Sequence, residues 1–224
     1  MSHSHLSSRR GRPDHCRQWL HDALCDLPEG AVILALGCEE AFLAPHLLEY
    51  ASDVTVLDTS GGQIAQLARR FPEISFLPHQ PHAPLPFAHD TFDAIWCCDI
   101  LDRVFDPAAA LRDMNRVLAP GGRLLATVPD AGAMRAALQA MRPQDEASAN
   151  IPRIRSFTRR ALARLVREAG FGGIQIAAAG VSRTLRLRAR KEPGAACERR
   201  TSEARAAVLG FDEEFALTGR PRAA

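Results

Sequence analysis

The chain has 224 residues, of which 46% are hydrophobic and 24% are charged, the balance of an ordinary globular protein. These proportions exclude a mostly disordered, collagen-like or coiled-coil chain, and the length suits one domain with appendages. The longest apolar run, residues 31–38, is far shorter than the roughly 20 residues of a membrane helix. The polar N-terminus is not followed by an apolar stretch, so no secretory leader and no membrane partner are expected.

The net charge of +2 hides an uneven distribution along the chain. Residues 1–30 are neutral, residues 31–150 carry a net charge of −7 and residues 151–224 carry +9. A basic last third can bind an anion or nucleic acid, although a solvated arginine surface is the commoner cause of such a bias. Six cysteines without a Cys-x-x-Cys pair predict free thiols, so we expect a cytoplasmic protein.

Helical and strand patterns alternate along the first 130 residues. Apolar spacing predicts helices over residues 13–27, 41–51, 60–70 and 108–118. Continuous apolar runs predict buried strands over residues 31–36, 54–57, 74–77, 92–97 and 123–128. Because this alternation requires crossover connections, it predicts a doubly wound α/β fold with a mostly parallel sheet.

After Pro129 the predicted elements are helices over residues 131–141 and 157–169 and strands over residues 173–179 and 182–190. The last two strands flank a turn at Gly180 and should pair antiparallel. In the final strand apolar residues alternate with arginines, a pattern typical of a half-exposed edge strand. We expect an N-terminal segment with its helix (1–28), a central domain (29–190) and a partly disordered tail (191–224).

The candidate ligand site lies where the first two strands end. Gly37 follows the first strand, and Asp58 ends the second, where a carboxylate can accept hydrogen bonds from both hydroxyls of a ribose. Glu39 and Glu40 would repel the pyrophosphate of a dinucleotide, at about 1–4 kcal/mol for each near charge pair. S-adenosylmethionine has no phosphate and a net positive charge, so this acidic turn favours it over a nicotinamide cofactor.

Five segments carry a resemblance to a known family: VILALGC, VTVLDTS, APLPFAHDTFDAIWCCDILDRVFDP, ALRDMNRVLAPGGRLLATVP and FTRRALARLVREAGF. In this order they resemble the class I S-adenosylmethionine-dependent methyltransferase domain, in its type 11 group of small-molecule enzymes. The resemblance rests on joint order and spacing rather than on any one motif. It implies a Rossmann-like sheet of seven strands with an antiparallel C-terminal pair. It also implies methyl transfer from S-adenosylmethionine to a small-molecule acceptor.

The resemblance further implies where each part of the cofactor lies. Gly37 and Cys38 would line the methionine end through their backbones, and Asp58 would bind the ribose hydroxyls. Thr59 and Ser60 would lie beside the adenine.

The loop after the third strand would hold the adenine and would contain Gln80, Pro81 and His82. Gln80 stands where the family usually has Asp, and its amide can still accept a hydrogen bond from the adenine amino group. Cys97, at the end of the fourth strand, would border the transferred methyl group.

Several positions depart from the family pattern. Ala35 stands where the family has an acid that helps to hold the cofactor's ammonium group, and Glu39 and Ala41 replace glycines. We hypothesise that Glu39 or Glu40 restores the missing carboxylate, which predicts weaker cofactor binding when both become Gln. The alternative is a degenerate domain that transfers no methyl group and acts as a scaffold or regulator. Arg103 stands where the family commonly has His.

Methyl transfer from a sulfonium requires alignment and exclusion of water more than acid–base chemistry. Where the acceptor must lose a proton, Asp99, Asp102 and His82 are the candidate bases. No metal site is expected, because His79, His82 and His89 lack a second pair at ligand spacing.

An RNA methyltransferase that uses the arginines of residues 153–190 is a minor alternative. Such binding would weaken steeply with salt, but the segment lacks the aromatic residues interleaved with arginine that stack on bases. The motifs LPF (85–87) and FD (92–93) are expected to hold the fold rather than to catalyse.

Overall fold

The computed structural model describes residues 12–37, 44–59, 61–133, 155–179 and 184–192. The strands are β1 (Val32–Leu36), β2 (Asp53–Asp58), β3 (Ser75–Pro78), β4 (Phe92–Cys98), β5 (Leu118–Pro129), β6 (Phe171–Ala178) and β7 (Thr184–Lys191). The helices are α1 (Arg12–Leu24), α2 (Ala44–Leu47), α3 (Gly61–Arg70), α4 (Pro107–Val117) and α5 (Arg159–Glu168). No helix in these ranges is both long and apolar enough to cross a membrane.

All seven strands form one sheet in the order β3-β2-β1-β4-β5-β7-β6. The pairs from β3 to β5 are parallel, and β7 is antiparallel to both of its neighbours. The predicted doubly wound, mostly parallel sheet with an antiparallel C-terminal pair is therefore confirmed. The chain moves outward in opposite directions from β1 and β4, so their carboxyl ends form the crevice in which open α/β sheets bind ligands.

Each face of the sheet carries its own apolar layer. Leu34 belongs to the layer that includes Leu111 of α4 and Leu162 of α5, whereas Ile33 belongs to the layer with Trp19 of α1. Successive side chains of a strand point to opposite faces, so a strand that is covered on both sides must be apolar throughout. This requirement explains the uninterrupted run of buried residues in β1.

Polar caps set the start of two helices. The Asp106 side chain accepts a hydrogen bond from the backbone N–H of Ala109 at 2.9 Å, and Pro107 occupies the first turn of α4. The Thr158 side chain accepts from Ala161 at 3.2 Å at the start of α5. These caps begin both helices within two residues of the predicted starts.

The fifth strand begins earlier than its sequence predicts. The pattern placed its start after Gly122, but β5 begins at Leu118, which pairs with Phe92. The register with β4 shifts before Ala94, so the Ala119–Gly122 segment is accommodated as an irregularity inside the strand. Gly121 adopts a φ of +76° within it.

The second predicted helix is shorter than expected. Of residues 41–51, α2 covers Ala44–Leu47, and a turn follows in which Tyr50 donates to the carbonyl of Leu47 at 3.0 Å. Residues 38–43 lie outside the described residues. The predicted helix over 131–141 begins with a helical turn at 131–133, and its remainder also lies outside.

The prediction that the last strand lies at an edge is wrong, because β7 lies between β5 and β6. Its apolar residues face the core as expected. Its arginines face α1: the guanidinium groups of Arg186 and Arg188 lie 5.3 Å and 5.9 Å from the centre of a Trp19 ring. Arg188 also donates to the carbonyl of Trp19 at 2.9 Å. A helix thus covers two arginines that the alternating pattern assigned to solvent.

Candidate functional site

A cavity of about 570 Å³ opens at the carboxyl ends of β1, β2 and β4. The loop after β3 and one face of α4 complete its walls, which are largely apolar. Its volume lies within the range of small-molecule sites, and its position is the crevice expected of this topology. The sheet therefore presents one ligand-sized site at the edge that the sequence indicated.

Gly37 forms the floor of the cavity immediately after β1. Its φ is +95°, and its N–H donates to the carbonyl of Leu57 at 2.9 Å. A Cβ atom at this position would lie 3.1 Å from the carbonyl oxygen of Cys98 and 3.3 Å from Cδ1 of Ile100. A side chain is excluded both by backbone conformation and by space, so the floor stays open for a ligand to approach the backbone.

Asp58 and Thr59 form the wall next to this floor, where β2 ends. Both residues are partly exposed to the cavity. The carbonyl of Asp58 accepts a hydrogen bond from the backbone N–H of His79 at 2.7 Å, which fixes the loop after β3 beside it. Two segments that the sequence assigned to ribose and adenine are therefore adjacent.

The loop after β3 contributes Pro81 and His82 to the cavity wall, but the exposed Gln80 does not line it. The His82 ring lies 4.5 Å from the ring of Phe105, which approaches from the segment after β4. Phe105 is 71% exposed. These two rings meet at the cavity from opposite sides.

His79 also lines the cavity, and burial lowers the pKa of its imidazole. Desolvation exceeds the opposing influences of a hydrogen bond with the backbone of Ala83 and of the Asp113 charge. The neutral ring is favoured in the folded protein.

The end of β4 corrects one predicted site residue. Cys97 is 0% exposed and packs in the apolar layer with α4, whereas Cys98 is buried in the opposite layer and also lines the cavity. Adjacent strand residues point to opposite faces, so only one of these cysteines can reach the ligand. Burial also raises the pKa of the Cys97 thiol, which keeps it protonated and unreactive.

The two aspartates beyond β4 differ in their positions. Asp99 lines the cavity with a φ of +48°, and its Oδ1 accepts a hydrogen bond from the Thr127 hydroxyl at 3.0 Å. Asp102 is 0% exposed and does not line the cavity. Its carbonyl accepts from the backbone N–H of Arg155 at 3.3 Å. Asp99 can therefore reach a ligand directly, and Asp102 cannot.

A protein-family model of a methyltransferase domain matches residues 8–176. The chain belongs to this methyltransferase family. The demethylmenaquinone methyltransferase of Renibacterium salmoninarum is 33% identical over 115 residues, which are 51% of this chain and 48% of that protein. The chain thus spans about half the length of the curated relatives it matches. The resemblance to class I S-adenosylmethionine-dependent methyltransferases is confirmed.

Two solved structures show the same fold at low sequence identity. An S-adenosylmethionine-dependent methyltransferase from Mesorhizobium loti has a TM-score of 0.59 and 21% identity, covering 74% of this chain and 94% of that chain. The [4+2]-cyclase SpnF has a TM-score of 0.60 and 20% identity, covering 81% of each chain. Because a cyclase shares the fold, the fold alone does not determine the reaction of a family member.

The LPF motif is part of the cavity wall and is held in place by α4. Arg116 of α4 donates to the carbonyls of Phe87 at 2.6 Å and Leu85 at 2.9 Å, and to the Asp113 carboxylate at 2.7 Å. Asp113 in turn accepts from the backbone N–H of Leu85 at 2.5 Å. The spacing of Asp113 and Arg116 predicts an ion pair on one face of a helix. It does not predict that both side chains also form hydrogen bonds with the backbone of residues 85–87.

The FD motif has the structural role that the sequence predicted. Oδ2 of Asp93 accepts a hydrogen bond from the backbone N–H of Val32 at 2.9 Å, where β1 begins. Phe92 is 1% exposed and packs edge-on against Phe87, with ring centres 4.8 Å apart. Phe92 and Asp93 both lie in β4, and neither lines the cavity.

The altered positions of the first motif are only partly within the described residues. Ala35 is 3% exposed, belongs to the core and does not line the cavity. The predicted cofactor residues Cys38, Glu39 and Ser60 lie outside the described residues, as do Glu40 and Ala41. Thr127, which the motifs did not single out, contacts Asp99 only because β5 pairs beside β4.

Proposed function

We propose that this protein transfers the methyl group of S-adenosylmethionine to a small-molecule acceptor. The observation that carries the proposal is the cavity whose floor is Gly37 and whose wall includes Asp58. A Cβ at Gly37 would press on the carbonyl oxygen of Cys98 and the side chain of Ile100, which both line the cavity, so only glycine lets the backbone end of β1 form the cavity floor where a ligand can lie. Family membership supports the reaction type, and a relative named for demethylmenaquinone supports a small acceptor.

Each wall of the cavity would hold a different part of the cofactor. Asp58 accepts hydrogen bonds from the ribose hydroxyls. Thr59 lies beside the adenine ring, and Pro81 and His82 cover it. Gly37 leaves the backbone of the floor accessible. We retain Cys38, Glu39 and Ser60 as cofactor contacts on the strength of the resemblance, and we leave out Gln80 and Cys97, which do not line the cavity.

Bound S-adenosylmethionine would supply an electrophilic methyl group on a sulfonium, which is already a good leaving group. The protein's part is to align the acceptor and exclude water. The apolar walls contributed by Ile100, Val104 and Met114 suit that role. Of the candidate bases, His82 and Asp99 line the cavity, and Asp102 is too deeply buried to receive a proton from an acceptor.

Two arginines of the last third favour a small-molecule acceptor over RNA. Arg186 and Arg188 pack on Trp19 of α1, so they contribute to the fold instead of presenting an open basic surface. Cys25, Cys97 and Cys98 are free thiols. We propose a reducing, cytoplasmic location on the basis of these thiols.

Calorimetric titration with S-adenosylmethionine and S-adenosylhomocysteine tests the proposal. We expect micromolar binding by the wild type and a loss of about 100-fold or more in Asp58→Ala, because the ribose loses a charged acceptor. Asp53→Ala is the matched control, since Asp53 begins the same strand and does not line the cavity. Saturation at ~100 times the dissociation constant should add ~2.7 kcal/mol of stability.

Absence of binding at millimolar ligand in a folded wild-type protein would contradict the proposal. The degenerate domain that serves as a scaffold or regulator would then be the better interpretation. Equal losses in Asp53→Ala and Asp58→Ala would show that the cavity is not the binding site.

A further inference from the structure

Four aspartates line the cavity, and two of them lie in α4 or immediately before it. Asp113 pairs with Arg116, and Asp106 caps the first turn of α4. Asp58 and Asp99 are the two that stand at the ends of strands, on either side of the floor at Gly37. These two carboxylates are the ones placed to meet a ligand that crosses the floor.

The backbone of Asp99 is held in a conformation that few residues other than glycine adopt. Its φ of +48° costs an L-residue about 1–2 kcal/mol. This unfavourable conformation occurs at a residue that lines the cavity, and strained residues of this kind concentrate at functional sites. Asp is one of the few residues other than glycine that adopt this conformation, and unlike glycine it places a carboxylate at the cavity.

Thr127 fixes both the backbone and the carboxylate of Asp99. The Thr127 hydroxyl donates to Oδ1 of Asp99 at 3.0 Å, and the Thr127 carbonyl accepts from the Asp99 N–H at 3.2 Å. The hydroxyl also lies 3.2 Å from the Cys98 sulfur, in a buried position of β5 directly opposite Cys98 in the sheet register. One oxygen of Asp99 is thereby oriented before any ligand arrives.

The order of the strands determines what Asp99 would meet. Asp58 ends β2, Gly37 follows β1 and Asp99 follows β4, and these strands are neighbours in that order. Adjacent strands lie ~4.8 Å apart, so the backbones of Asp58 and Asp99 lie roughly 10 Å apart, on either side of Gly37. In S-adenosylmethionine the ribose hydroxyls and the ammonium group lie likewise on opposite sides of the sulfonium.

We infer that the Asp99 carboxylate binds the ammonium group of the cofactor's methionine part and that Thr127 is its positioning residue. This inference rests on the proposed function and deepens it. The described carboxyl end of β1 supplies no acid, because its residues there are Ala35, Leu36 and Gly37. Arg103, whose Nε donates to the Asp99 carbonyl at 2.9 Å, binds the backbone of the same turn. His82 is then the remaining candidate base for the acceptor.

Two ligands that cannot donate a methyl group in this reaction test whether Asp99 binds the ammonium group rather than another part of the cofactor. S-adenosylhomocysteine keeps the ammonium group and lacks the sulfonium charge, and 5′-methylthioadenosine lacks the whole amino-acid part. In calorimetric titrations Asp99→Asn should weaken S-adenosylhomocysteine binding about 10- to 100-fold, because a charged hydrogen bond is lost. It should leave 5′-methylthioadenosine binding unchanged, whereas Asp58→Ala should weaken the binding of both ligands.

Two further variants protect the test against misfolding and against a purely structural effect. Asp99→Gly suits the left-handed backbone, so it should remain folded and still lose affinity for S-adenosylhomocysteine alone. Thr127→Val should weaken that affinity several-fold, and Thr127→Ser, which keeps the hydroxyl, should restore it. Rescue by Ser would not be expected if Thr127 only filled space.

The outcomes distinguish the inference from the proposed function. If the wild type binds both ligands and Asp99→Asn binds S-adenosylhomocysteine equally well, the inference is wrong and the methyltransferase proposal stands. If the folded wild type binds neither ligand, the proposed function fails and the inference fails with it.

Discussion

The two halves of the sheet use polar residues in opposite ways. At the carboxyl ends of β1, β2 and β4, polar side chains such as Asp58 and Asp99 line a cavity. In the C-terminal half, Arg123 of β5 and Arg188 of β7 donate to backbone carbonyls of α1, and Arg186 of β7 packs on the Trp19 ring. The arginines of these two strands therefore hold the first helix against the sheet, whereas the aspartates at the strand ends form a site.

The contacts at the end of α1 show how this division arises. Arg123 donates to the carbonyl of Ala23 and to the carboxylate of Asp26, and Arg188 donates to the carbonyl of Asp22 at 3.3 Å. The last carbonyls of a helix have no partner within the helix, so cationic side chains satisfy them well. The hydrogen bond from Arg123 also lowers the pKa of Asp26. Basic residues remote in sequence thus serve as the C-terminal cap of the first helix.

Of the substitutions that distinguish the two halves of the sheet, Gly37→Ala is expected to have the largest effect on stability and ligand affinity. The added Cβ would lie 3.1 Å from the Cys98 carbonyl oxygen and would be strained at a φ of +95°. We expect a loss of about 1–3 kcal/mol in the free energy of unfolding. We also expect at least about tenfold weaker S-adenosylhomocysteine binding, because the floor of the cavity is displaced. Chemical denaturation and calorimetry measure the two quantities.

Gly30→Ala is the matched control for that substitution. Gly30 has a φ of +74°, but a Cβ there would meet nothing within 4 Å, and the residue lies before β1 rather than after it. It should lose about 1–2 kcal/mol from backbone strain and keep its affinity for the ligand. Equal losses of affinity in both variants would show that stability, not the cavity floor, governs binding.

The sequence predicted the parallel half of the fold well, since its signals are local. Buried strands such as β1 must be apolar throughout, and the glycine after the strand is readable without any tertiary information. The same holds for Asp58, which ends its strand as expected. The prediction failed for β7, because alternating arginines look identical whether solvent or α1 covers them.

The candidate site was predictable only where one segment of the chain determines it. Cys97 and Cys98 are adjacent, and which of them faces the cavity depends on a pleat that the sequence cannot fix. Thr127 enters the site through its pairing opposite Cys98, across a long sequence separation. Asp102 follows β4 at a plausible distance, but the turn carries it into the core.

An intermediate effect, confined to the C-terminal half, is expected from Arg188→Gln. The substitution removes the hydrogen bond to the Trp19 carbonyl and the guanidinium contact with the indole, at a side chain that is 28% exposed. We expect a loss of about 1 kcal/mol in the free energy of unfolding. Ligand affinity should not change, since Arg188 does not line the cavity. Urea denaturation and calorimetry provide the two measurements.

Arg164→Gln is the control for the removal of an arginine charge. Arg164 forms an exposed ion pair with Glu168 at 3.9 Å, and such pairs contribute little to stability. We expect no measurable change in unfolding. If Arg188→Gln were equally silent, the arginines of β7 would not hold α1, and the contrast between the two halves would be lost.

The smallest expected effect is on how stability depends on pH, and it comes from His79 in the cavity half of the sheet. Burial lowers the pKa of His79 below its value of 6.5 in the unfolded chain. The unfolded state therefore binds more protons as the pH falls through this region, so the stabilising contribution of neutral His79 is present above pH 6.5 and is lost on acidification. In His79→Asn, the decline in the urea midpoint between about pH 6.5 and pH 5 should be shallower than in the wild type. His89→Asn, which removes an imidazole from an exposed position in the same connection, is the matched control. If the urea midpoint of His79→Asn declined with pH as steeply as that of the wild type, other groups would cause the decline. If added ligand changed the steepness of this decline in the wild type but not in His79→Asn, His79 would be coupled to the occupied cavity.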